Sequence, residues 1–327
     1  MKLFFQLKTL NLVFLSLLSL FMVFNVSAQS WPDKPIRIIV PFPPGGGTDT
    51  FVRPLAIELS KQLGQQVFVE TRSGAGGTIG AAAAAKSPAD GYTILAGAVH
   101  HTVNESVYKN LTYSLSKDLI PVISIASVPD VLLVSTKLPV SSVEELIAYS
   151  KKNPNKVNFG SSGNGTTRHI NGEIFNKLTG TSLVHIPYKG SGPSLVALVG
   201  GEIDVMIVDI ASVSSFIKSG QVRALAVAAP NRVAEFPNIP TMAQAGVPKF
   251  ESISWYGLWV PTETPQIIQN KISADTITSL NTPALKKIWA DNGATTGPSS
   301  QKEFIKYVND EKSKWGKVVK SFNISID

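Results

Sequence analysis

The sequence predicts an α/β protein of two lobes with a ligand cleft between them. Three observations predict this class. Strand-like and helix-like runs alternate along the chain, glycine-rich turns follow several of the strands, and about 300 residues remain after an N-terminal leader, more than one core usually organises. Ligands of such sheets bind at the carboxyl ends of the strands, so the alternation also predicts where a site would lie.

The first 28 residues have the pattern of a secretion signal. Lys2 and Lys8 give a basic start, the stretch 10–24 is almost wholly apolar, and Val26-Ser27-Ala28 has the small-x-small form of a cleavage site. A retained membrane anchor is the alternative, but the apolar stretch is shorter than the ~20 residues that a spanning helix needs. We therefore expect cleavage, export from the cytoplasm, and a mature chain that is not inserted in the membrane.

Composition excludes several classes of function. The chain has no cysteine, which rules out disulfides, thiol nucleophiles and thiolate metal sites. The formal net charge is +7, and loss of the two leader lysines leaves 28 basic and 23 acidic residues, a net charge of +5. The basic residues are scattered, with Lys151-Lys152 and Lys286-Lys287 the densest runs, so the pattern does not indicate a nucleic-acid face. A modest positive field favours encounter with small anions.

The first elements repeat a strand–turn–helix order. Strands are expected at 36–40, 67–70 and 91–95. The turn Pro41–Asp49 leads into a helix with apolar residues at helical spacing, for which Thr48 or Asp49 is the expected N-cap. The turn Ser73–Thr78 leads into an alanine-rich helix.

The same order recurs in the middle of the chain. Ser142 with Glu145 three residues later forms a capping box and begins a helix. The strand 157–159 leads into the glycine-rich turn 160–167, and another helix follows. The remaining expected elements are strands at 184–188, 203–208 and 225–227 and helices near 193–199, 265–280 and 301–319.

Two segments are expected to cross between the lobes. These are the β-rich segment 121–135 and the run 253–260. Two crossings build the first lobe from both ends of the mature chain. The predicted lobes are therefore 29–127 with 252–327, and 128–251.

Three glycine-rich turns stand directly before helices, after Val40, Glu70 and Phe159. The start of a helix leaves four backbone N–H groups unpaired and carries roughly half a positive charge, which suits a carboxylate or phosphate. No Gly-Lys-Ser/Thr follows the first turn, and neither the first nor the third has the glycine spacing of dinucleotide sites. If the lobes face one another, the three turns converge on one crevice that binds an anionic group.

Six motifs occur in order along the mature chain. They are WPDKPIRIIVPFPPGGGTD at 31–49, GAGGTIG at 74–80, ADGYTIL at 89–95, GSSGNGTTRH at 160–169, HIPYKGSGP at 185–193 and PNIPTMAQAG at 237–246. Together they resemble the tripartite tricarboxylate transporter receptors, also called Bug proteins. The resemblance implies a periplasmic-binding-protein fold of the Venus-flytrap, type II-like kind. It further implies capture of a small organic carboxylate in the periplasm and delivery to membrane transporter subunits, without catalysis or cofactor; we expect a monomer.

The resemblance also implies which residues meet the ligand. The predicted ligand-binding residues are Phe42, Gly46, Thr48, Asp49, Gly76, Gly77, Thr78, His101, Ser161, Thr166, Thr167, His169 and Asp209. The chain departs from the family pattern at Ser73 and Glu105, where proline is usual. These departures bear on ligand identity more than on function.

Several residues have two interpretations. Asp49 either caps a helix or bonds the ligand, and Lys189 either pairs with an anion or is a solvated loop lysine. Asp209 is expected at the cleft edge, where it accepts a bond from a ligand hydroxyl or amine. Trp255, Tyr256 and Trp259 on the returning segment are interpreted as packing between the lobes rather than as an aromatic cage.

Two other functions remain as alternatives. A periplasmic ligand sensor that feeds a two-component system would use the same cleft. A serine hydrolase would use Ser162 or Ser215, but neither has a base and an orienting acid at recognisable spacing. The histidines lack metal-ligand spacing, so no metal site is predicted.

Overall fold

A mixed sheet forms the centre of the molecule in a computed structural model that describes residues 31–108, 110–297 and 300–322. Every element below belongs to one compact unit that begins at Lys34. The strands are β1 Ile36–Val40, β2 Val67–Thr71, β3 Thr93–Ala98, β4 Leu119–Ser135, β5 Asn158–Ser161, β6 Val184–Pro187, β7 Val205–Asp209, β8 Val222–Val227 and β9 Ile253–Pro261. Their order is β2-β1-β3-β9-β4-β7-β5-β6, and β8 pairs with β4 beside this row.

Helices connect most of the strands. Those of the described residues are α1 Gly47–Leu63, α2 Thr78–Ala85, α3 Val99–Val107, α4 Val143–Lys152, α5 Thr167–Thr179, α6 Ser191–Gly200, α7 Ile210–Lys218, α8 Gln266–Leu280, α9 Pro283–Asp291 and α10 Gln301–Phe322. A short 3₁₀ turn at Ala75–Gly77 precedes α2. The N-cap predicted at Ser142 is confirmed, because the Ser142 hydroxyl accepts a hydrogen bond from the backbone N–H of Glu145 at 3.1 Å. The Glu145 carboxylate accepts a bond from the backbone N–H of Ser141 at 2.6 Å.

Two groups of parallel strands flank an antiparallel centre. β1 pairs in parallel with β2 and β3, and β5 pairs in parallel with β6 and β7. β4 and β9 pair with each other and with their other neighbours in the antiparallel sense. The parallel groups confirm the strand–helix alternation of the sequence. They also bring the glycine-rich turns to the carboxyl ends of their strands, where ligands of such sheets bind.

β4 belongs to both parts of the sheet. Its first part, Leu119–Pro129, pairs with β9, and its second part, Asp130–Ser135, pairs with β7 and β8. Pro129 lies where β4 changes partners. Proline has no backbone N–H, and at this position its absence costs the sheet few hydrogen bonds. The chain therefore runs from one part of the sheet to the other without leaving a strand.

Apolar side chains fill two clusters on the sheet. One is centred on Phe159 and Phe175, which are at most 1 % exposed. The other contains Trp255, Trp259 and Phe304, and both tryptophan rings meet the Phe304 ring at 5.2–5.9 Å between centroids. The tryptophans thus pack against α10, and only Tyr256 between them points its hydroxyl toward the site described below.

Three details differ from the sequence prediction. The N-cap of α1 is Gly46, not Thr48 or Asp49, because the helix already begins at Gly47. α3 occupies a segment for which no helix or strand was predicted, and the His101 side chain accepts a hydrogen bond from Ala98 N–H at its start. α9 was not predicted, although the Thr282 hydroxyl accepts a bond from Leu285 N–H as a normal N-cap.

Among the helices described, none combines the length and the apolar composition that a bilayer crossing requires. The predicted signal sequence, residues 1–28, lies outside the described residues.

Candidate functional site

A narrow inner cavity lies where the first and third glycine-rich turns face each other. It is bounded by the amino end of α1 on one side and by the turn after β5 and the starts of α5 and α6 on the other. Its lining residues are Phe42, Pro43, Gly46, Gly47, Thr48, Asp49, His100, Ser162, Arg168, Ser191 and Tyr256.

An outer cavity of about 820 Å³ shares Phe42 and Ser162 with the inner one. Its other lining residues are Gly74, Ala75, Gly76, Tyr108, Gly163, Asn164, Pro187, Tyr188 and Lys189. The outer cavity therefore joins all three glycine-rich turns that the sequence singled out. Convergence of these turns on one crevice is what the structure shows.

Three helices present uncapped amino ends to the inner cavity. The N-cap residues of α1, α5 and α6 are Gly46, Thr166 and Gly190, and no side chain of these residues caps its helix. Backbone N–H groups at such ends need acceptors and carry partial positive charge. Three of them around one small space suit a single anionic group.

A fourth glycine turn, between β6 and α6, closes on the first. A Cβ atom placed on Gly190 would lie 2.8 Å from Pro43 Cδ, and one placed on Gly46 would lie 3.6 Å from Ser191 Cβ. The two backbones thus touch with almost no side chain between them. In this turn the sequence pointed only to Lys189, either as a partner for an anion or as a solvated loop lysine. In the structure, the helix start at Ser191 lines the inner cavity.

Arg168 is the strongest charge in the inner cavity, and its side chain is only 6 % exposed. Nη2 donates to Asp209 Oδ2 at 2.9 Å and to the Tyr256 hydroxyl at 3.4 Å, and Nη1 donates to Thr167 Oγ1 at 3.0 Å. Burial alone would lower the pKa of this guanidinium, but the nearby carboxylates of Asp130 and Asp209 outweigh burial and raise it. Arg168 is therefore always charged.

Sequence reasoning missed Arg168, although it stands between two predicted residues, Thr167 and His169. The available signal was a lone arginine in the first turn of a helix after a glycine-rich turn. In a site expected to bind an anion, an arginine at this position is as good a candidate for ligand binding as the hydroxyl groups beside it.

His100, rather than the predicted His101, lines the inner cavity. Its ring meets the Phe42 ring edge-on with centroids 4.4 Å apart. His101 is fully buried, and its Nδ1 is occupied by the backbone of Ala98. Burial, with His101 and Arg168 nearby, lowers the pKa of His100 well below its ordinary value, and burial lowers the pKa of His101 to about 4. Both imidazoles are therefore neutral at neutral pH.

Asp49 and Thr48 both line the inner cavity on the first turn of α1. Asp49 Oδ1 accepts a bond from Arg53 Nε at 2.6 Å, and Oδ2 accepts one from Gly45 N–H at 3.2 Å. The aspartate thus braces the turn that precedes the helix. Its charge is paired with Arg53 on the same helix.

Gly76, Gly77 and Thr78 occupy different places. Gly76 lines the outer cavity, with a positive φ of 60° that favours glycine. Gly77 packs its Cα beside the rings of Phe42 and His100, where a Cβ would come within 3.0–3.2 Å of both. The Thr78 hydroxyl donates to Ala75 O at 2.9 Å, so it is used within its own turn.

The predicted hydroxyl groups of the third turn are also used internally. Ser161 Oγ lies 2.6 Å from His185 Nε2, and Thr166 Oγ1 donates to Gly163 O at 2.7 Å. His169 Nδ1 accepts a bond from Gly165 N–H at 3.2 Å. These side chains fix the turn, and Ser162, which was considered only as a nucleophile, is the one that lines both cavities.

Asp209 is completely buried at the end of β7. It caps α7 through the Ser212 N–H at 2.9 Å and holds Arg168 through its other oxygen. Its place beside the inner cavity agrees with the expected cleft edge. Its acceptor capacity is directed to Arg168 and Ser212, in contrast to the predicted bond to a ligand hydroxyl or amine.

Neither serine considered as a nucleophile, Ser162 or Ser215, is hydrogen-bonded to a histidine among the described residues, and Ser215 lies exposed on α7. In the same part of the chain, no three His, Asp or Glu side chains are grouped as metal ligands would be.

Comparison with known proteins identifies the family. A family model described as "Tripartite tricarboxylate transporter family receptor" matches residues 51–324. Protein BugT of Bordetella pertussis is 39 % identical over 297 residues, which cover 90 % of this chain and 91 % of BugT.

Solved structures agree with this result. One described as a periplasmic transporter gives a TM-score of 0.89 at 38 % identity and covers 91 % of this chain and 100 % of its own. An R. palustris protein with adipate gives 0.87 at 35 % identity over 90 % and 100 % of the two chains. MatC from Rhodopseudomonas palustris with bound malate gives 0.85 at 30 % identity over 88 % and 100 %.

These neighbours have the two-lobed fold of periplasmic binding proteins, as the sequence predicted. The family consists of binding receptors rather than enzymes. Since the family model spans most of the sequence and BugT aligns over most of both chains, this chain belongs to the tripartite tricarboxylate transporter receptor family of periplasmic solute-binding proteins.

Proposed function

We propose that this protein captures a small organic carboxylate in the inner cavity and delivers it to the membrane subunits of a tripartite tricarboxylate-type transporter. The observation that carries the proposal is the meeting of three uncapped helix amino ends with the Arg168 guanidinium around one narrow space. Fixed backbone dipoles and a buried cation are the groups that a carboxylate needs when it leaves water.

The relatives support a carboxylate ligand. Two proteins of at least 30 % identity that share the fold were solved with adipate and with malate, both small organic acids. Their ligands differ in length and in hydroxyl content, so the family resemblance supports the anionic head group and leaves the body of the ligand open.

The proposed mode of capture is closure of two lobes, 29–127 with 252–327 and 128–251. The continuous strand β4 and the antiparallel β9 connect them. Groups from both proposed lobes surround the inner cavity: Gly46 and Thr48 come from the first, and Ser162, Arg168 and Ser191 come from the second. A ligand held by both sides stabilises the closed arrangement, since binding to one conformation shifts the population toward it.

We further propose that the leader is cleaved after Ala28 and that the mature protein works in the periplasm as a monomer. The proposed ligand site is centred on Arg168 and His100 and includes the predicted residues that line the two cavities, Phe42, Gly46, Thr48, Asp49 and Gly76.

Thermal unfolding with a panel of acids tests the proposal. Purified protein is mixed with mono-, di- and tricarboxylates, aromatic acids and acidic amino acids, and one class should raise the melting temperature, because a ligand of the native state alone stabilises it by mass action. Native mass spectrometry of freshly purified protein should show a co-purified acid of the same class. A panel that produced neither a shift nor calorimetric heat would contradict the proposed function.

Coupling to transport needs a separate measurement. Uptake of the identified acid by cells that contain the transporter subunits should depend on this receptor. Uptake that is unchanged without the receptor would contradict the transport part of the proposal while leaving ligand capture intact.

A further inference from the structure

Building on the proposed function, we infer that Arg168 and His100 select 2-hydroxy monocarboxylates. One ligand carboxylate would sit on Arg168 Nε and the amino end of α1, and an uncharged hydroxyl beside it would bind His100 Nε2. The observations are the unused polar atoms, the charge balance and the shape of the two cavities.

Two buried polar atoms of residues that line the inner cavity lack partners among the described residues. Arg168 uses Nη1 and Nη2 on protein groups, but its Nε has no hydrogen-bond partner among the residues that the structure describes. The same holds for His100 Nε2, in a side chain that is 5 % exposed. Buried polar groups are normally hydrogen-bonded, so we expect a ligand atom to pair with each of these nitrogens.

The charge balance around the cavity leaves room for one carboxylate. Arg168 pairs with Asp209 at 2.9 Å and has the Asp130 carboxyl group nearby, and Arg53 pairs with Asp49 at 2.6 Å, so acidic groups of the protein already match both cations. The remaining positive potential comes from the three helix amino ends, each roughly half a charge. This positive potential matches a ligand with one negative charge. A second carboxylate in the same space would have no unpaired cation to bind.

His100 favours a hydroxyl over an ammonium beside the carboxylate. Its neutral imidazole offers either a donor or an acceptor at Nε2, depending on the tautomer, and a hydroxyl pairs with both. An ammonium would add a cation next to Arg168, and an unsubstituted carbon would leave Nε2 unpaired. The body of the ligand then extends past Phe42 and Ser162, the two residues shared with the outer cavity.

Calorimetric titration with four matched acids tests the inference. The probes are butanoate, 2-hydroxybutanoate, 2-aminobutanoate and malate. The intact protein should bind 2-hydroxybutanoate at least tenfold more tightly than each of the other three. Tighter binding of malate, butanoate or the amino acid would overturn the inference and leave the proposed function standing, whereas a lack of binding by any acid in the broad panel would defeat the proposed function itself.

Variants assign the preference to the two residues. Arg168→Lys should weaken 2-hydroxybutanoate binding at least a hundredfold, because lysine has no Nε–H in this position, and Arg232→Lys, an exposed arginine bonded to Gln244 and Pro237, should have no effect. His100→Leu should reduce the affinity for the hydroxy acid to that for butanoate, and His100→Gln should restore part of the difference. Equal selectivity in His100→Leu and the unchanged protein would overturn the inference even if Arg168→Lys failed to fold.

Asp209→Asn provides a second readout of the charge balance. Asparagine can still cap α7 through its side-chain oxygen, but it no longer neutralises Arg168. The affinity ratio of malate to 2-hydroxybutanoate should therefore rise at least tenfold. A ratio that stays constant would contradict the assignment of the cavity to a monoanion.

Discussion

The Tyr256 hydroxyl reaches Arg168 only because Gly47 has no side chain. A Cβ at Gly47 would fall on the Tyr256 ring and hydroxyl and within 2.7 Å of Asp209 Oδ2. Gly47, the first residue of α1, therefore leaves the space that Tyr256 on β9 occupies. Burial, with the Asp209 charge nearby, raises the pKa of Tyr256 well above its ordinary value, so the hydroxyl stays protonated.

Gly47→Ala should weaken carboxylate binding at least tenfold, because the methyl group displaces the tyrosine from Arg168 and crowds the amino end of α1. Calorimetric titration with the acid identified in the panel measures the effect. Gly316→Ala, in the middle of α10 with its nearest neighbour at 3.4 Å, is the control and should bind normally. Equal affinities would show that the Tyr256 position does not matter for the ligand.

The stacked pair His169 and His185 should make stability depend on pH. The His169 and His185 rings stack with centroids 3.9 Å apart, and burial lowers the pKa of His169 to about 4; burial, then the His169 charge, lower the pKa of His185 to about 3. The unfolded chain protonates them near the ordinary value of 6.5, and the folded chain resists. Stability therefore falls as the pH drops below 6.5 and stops falling near 3 to 4 for this reason.

Urea unfolding at pH 7 and pH 5 checks this, and we expect a loss of at least about 1 kcal/mol in the free energy of unfolding. His100 and His101 contribute in the same window and direction, since their pKa values are also lowered. The double variant His169→Gln with His185→Gln should lose less stability between the two pH values. An identical pH slope in that variant would exclude the stacked pair as a source.

At the scale of elements, sequence patterns located most helices and strands, and missed those whose ends depend on distant contacts. The α4 start was predictable because Ser142 and Glu145 lie three residues apart. The α1 start was not, because glycine at the N-cap leaves no side-chain signal and the turn is fixed by its contact with Gly190 and Ser191. α3 was not predicted, because its apolar positions have polar neighbours that only tertiary burial accommodates.

α5 packs closely on β5 because Gly172 has no side chain. A Cβ at Gly172 would come within 2.6 Å of three atoms of the Phe159 ring, which is itself 1 % exposed. The helix that carries Arg168 is thus held close to the strand that precedes its turn. This close packing fixes the distance between α5 and β5 and therefore the position of Arg168 at the inner cavity.

Gly172→Ala should destabilise the protein by about 1–3 kcal/mol, because the methyl group overpacks a filled core. Gly200→Ala at the end of α6 is the matched control, with nothing nearer than 3.9 Å, and should be neutral or slightly stabilising. Denaturant unfolding of both variants gives the comparison. A neutral Gly172→Ala would mean that α5 can move away from β5 without cost.

For the whole molecule, the ordered motifs were sufficient for the family and the fold, whereas the ligand-facing groups could not be listed from them. The turns converge because parallel strands place their carboxyl ends together, which the alternation already implies. Which side chains then face the cavity depends on rotation about each helix. His100 instead of His101, and Ser162 instead of Ser161, are differences of one residue that sequence spacing does not resolve.

Contacts across the outer cavity join turns from the two proposed lobes. The Tyr108 hydroxyl donates to Asn164 O at 3.0 Å, and Gly76 and Gly163 approach each other behind this bond. These contacts join the turn after β2 and α3 to the turn after β5. They lie at the outer cavity, between the inner cavity and solvent.

Tyr108→Phe should speed ligand dissociation about threefold to tenfold, as expected for a net hydrogen-bond contribution of about 0.5–1.5 kcal/mol to the closed state. Stopped-flow displacement of the bound acid measures the rate, and Tyr149→Phe on α4, away from both cavities, is the control. An unchanged dissociation rate would show that this bond does not contribute to retention.

The strand β4 also limits how the cavities can open. Its 17 residues bond to β9 at one end and to β7 and β8 at the other without an intervening loop. If the proposed lobes open, the motion would therefore be spread as a change of twist along β4 and β9. In that case, release of the ligand would require a membrane subunit to contact both proposed lobes and turn one against the other.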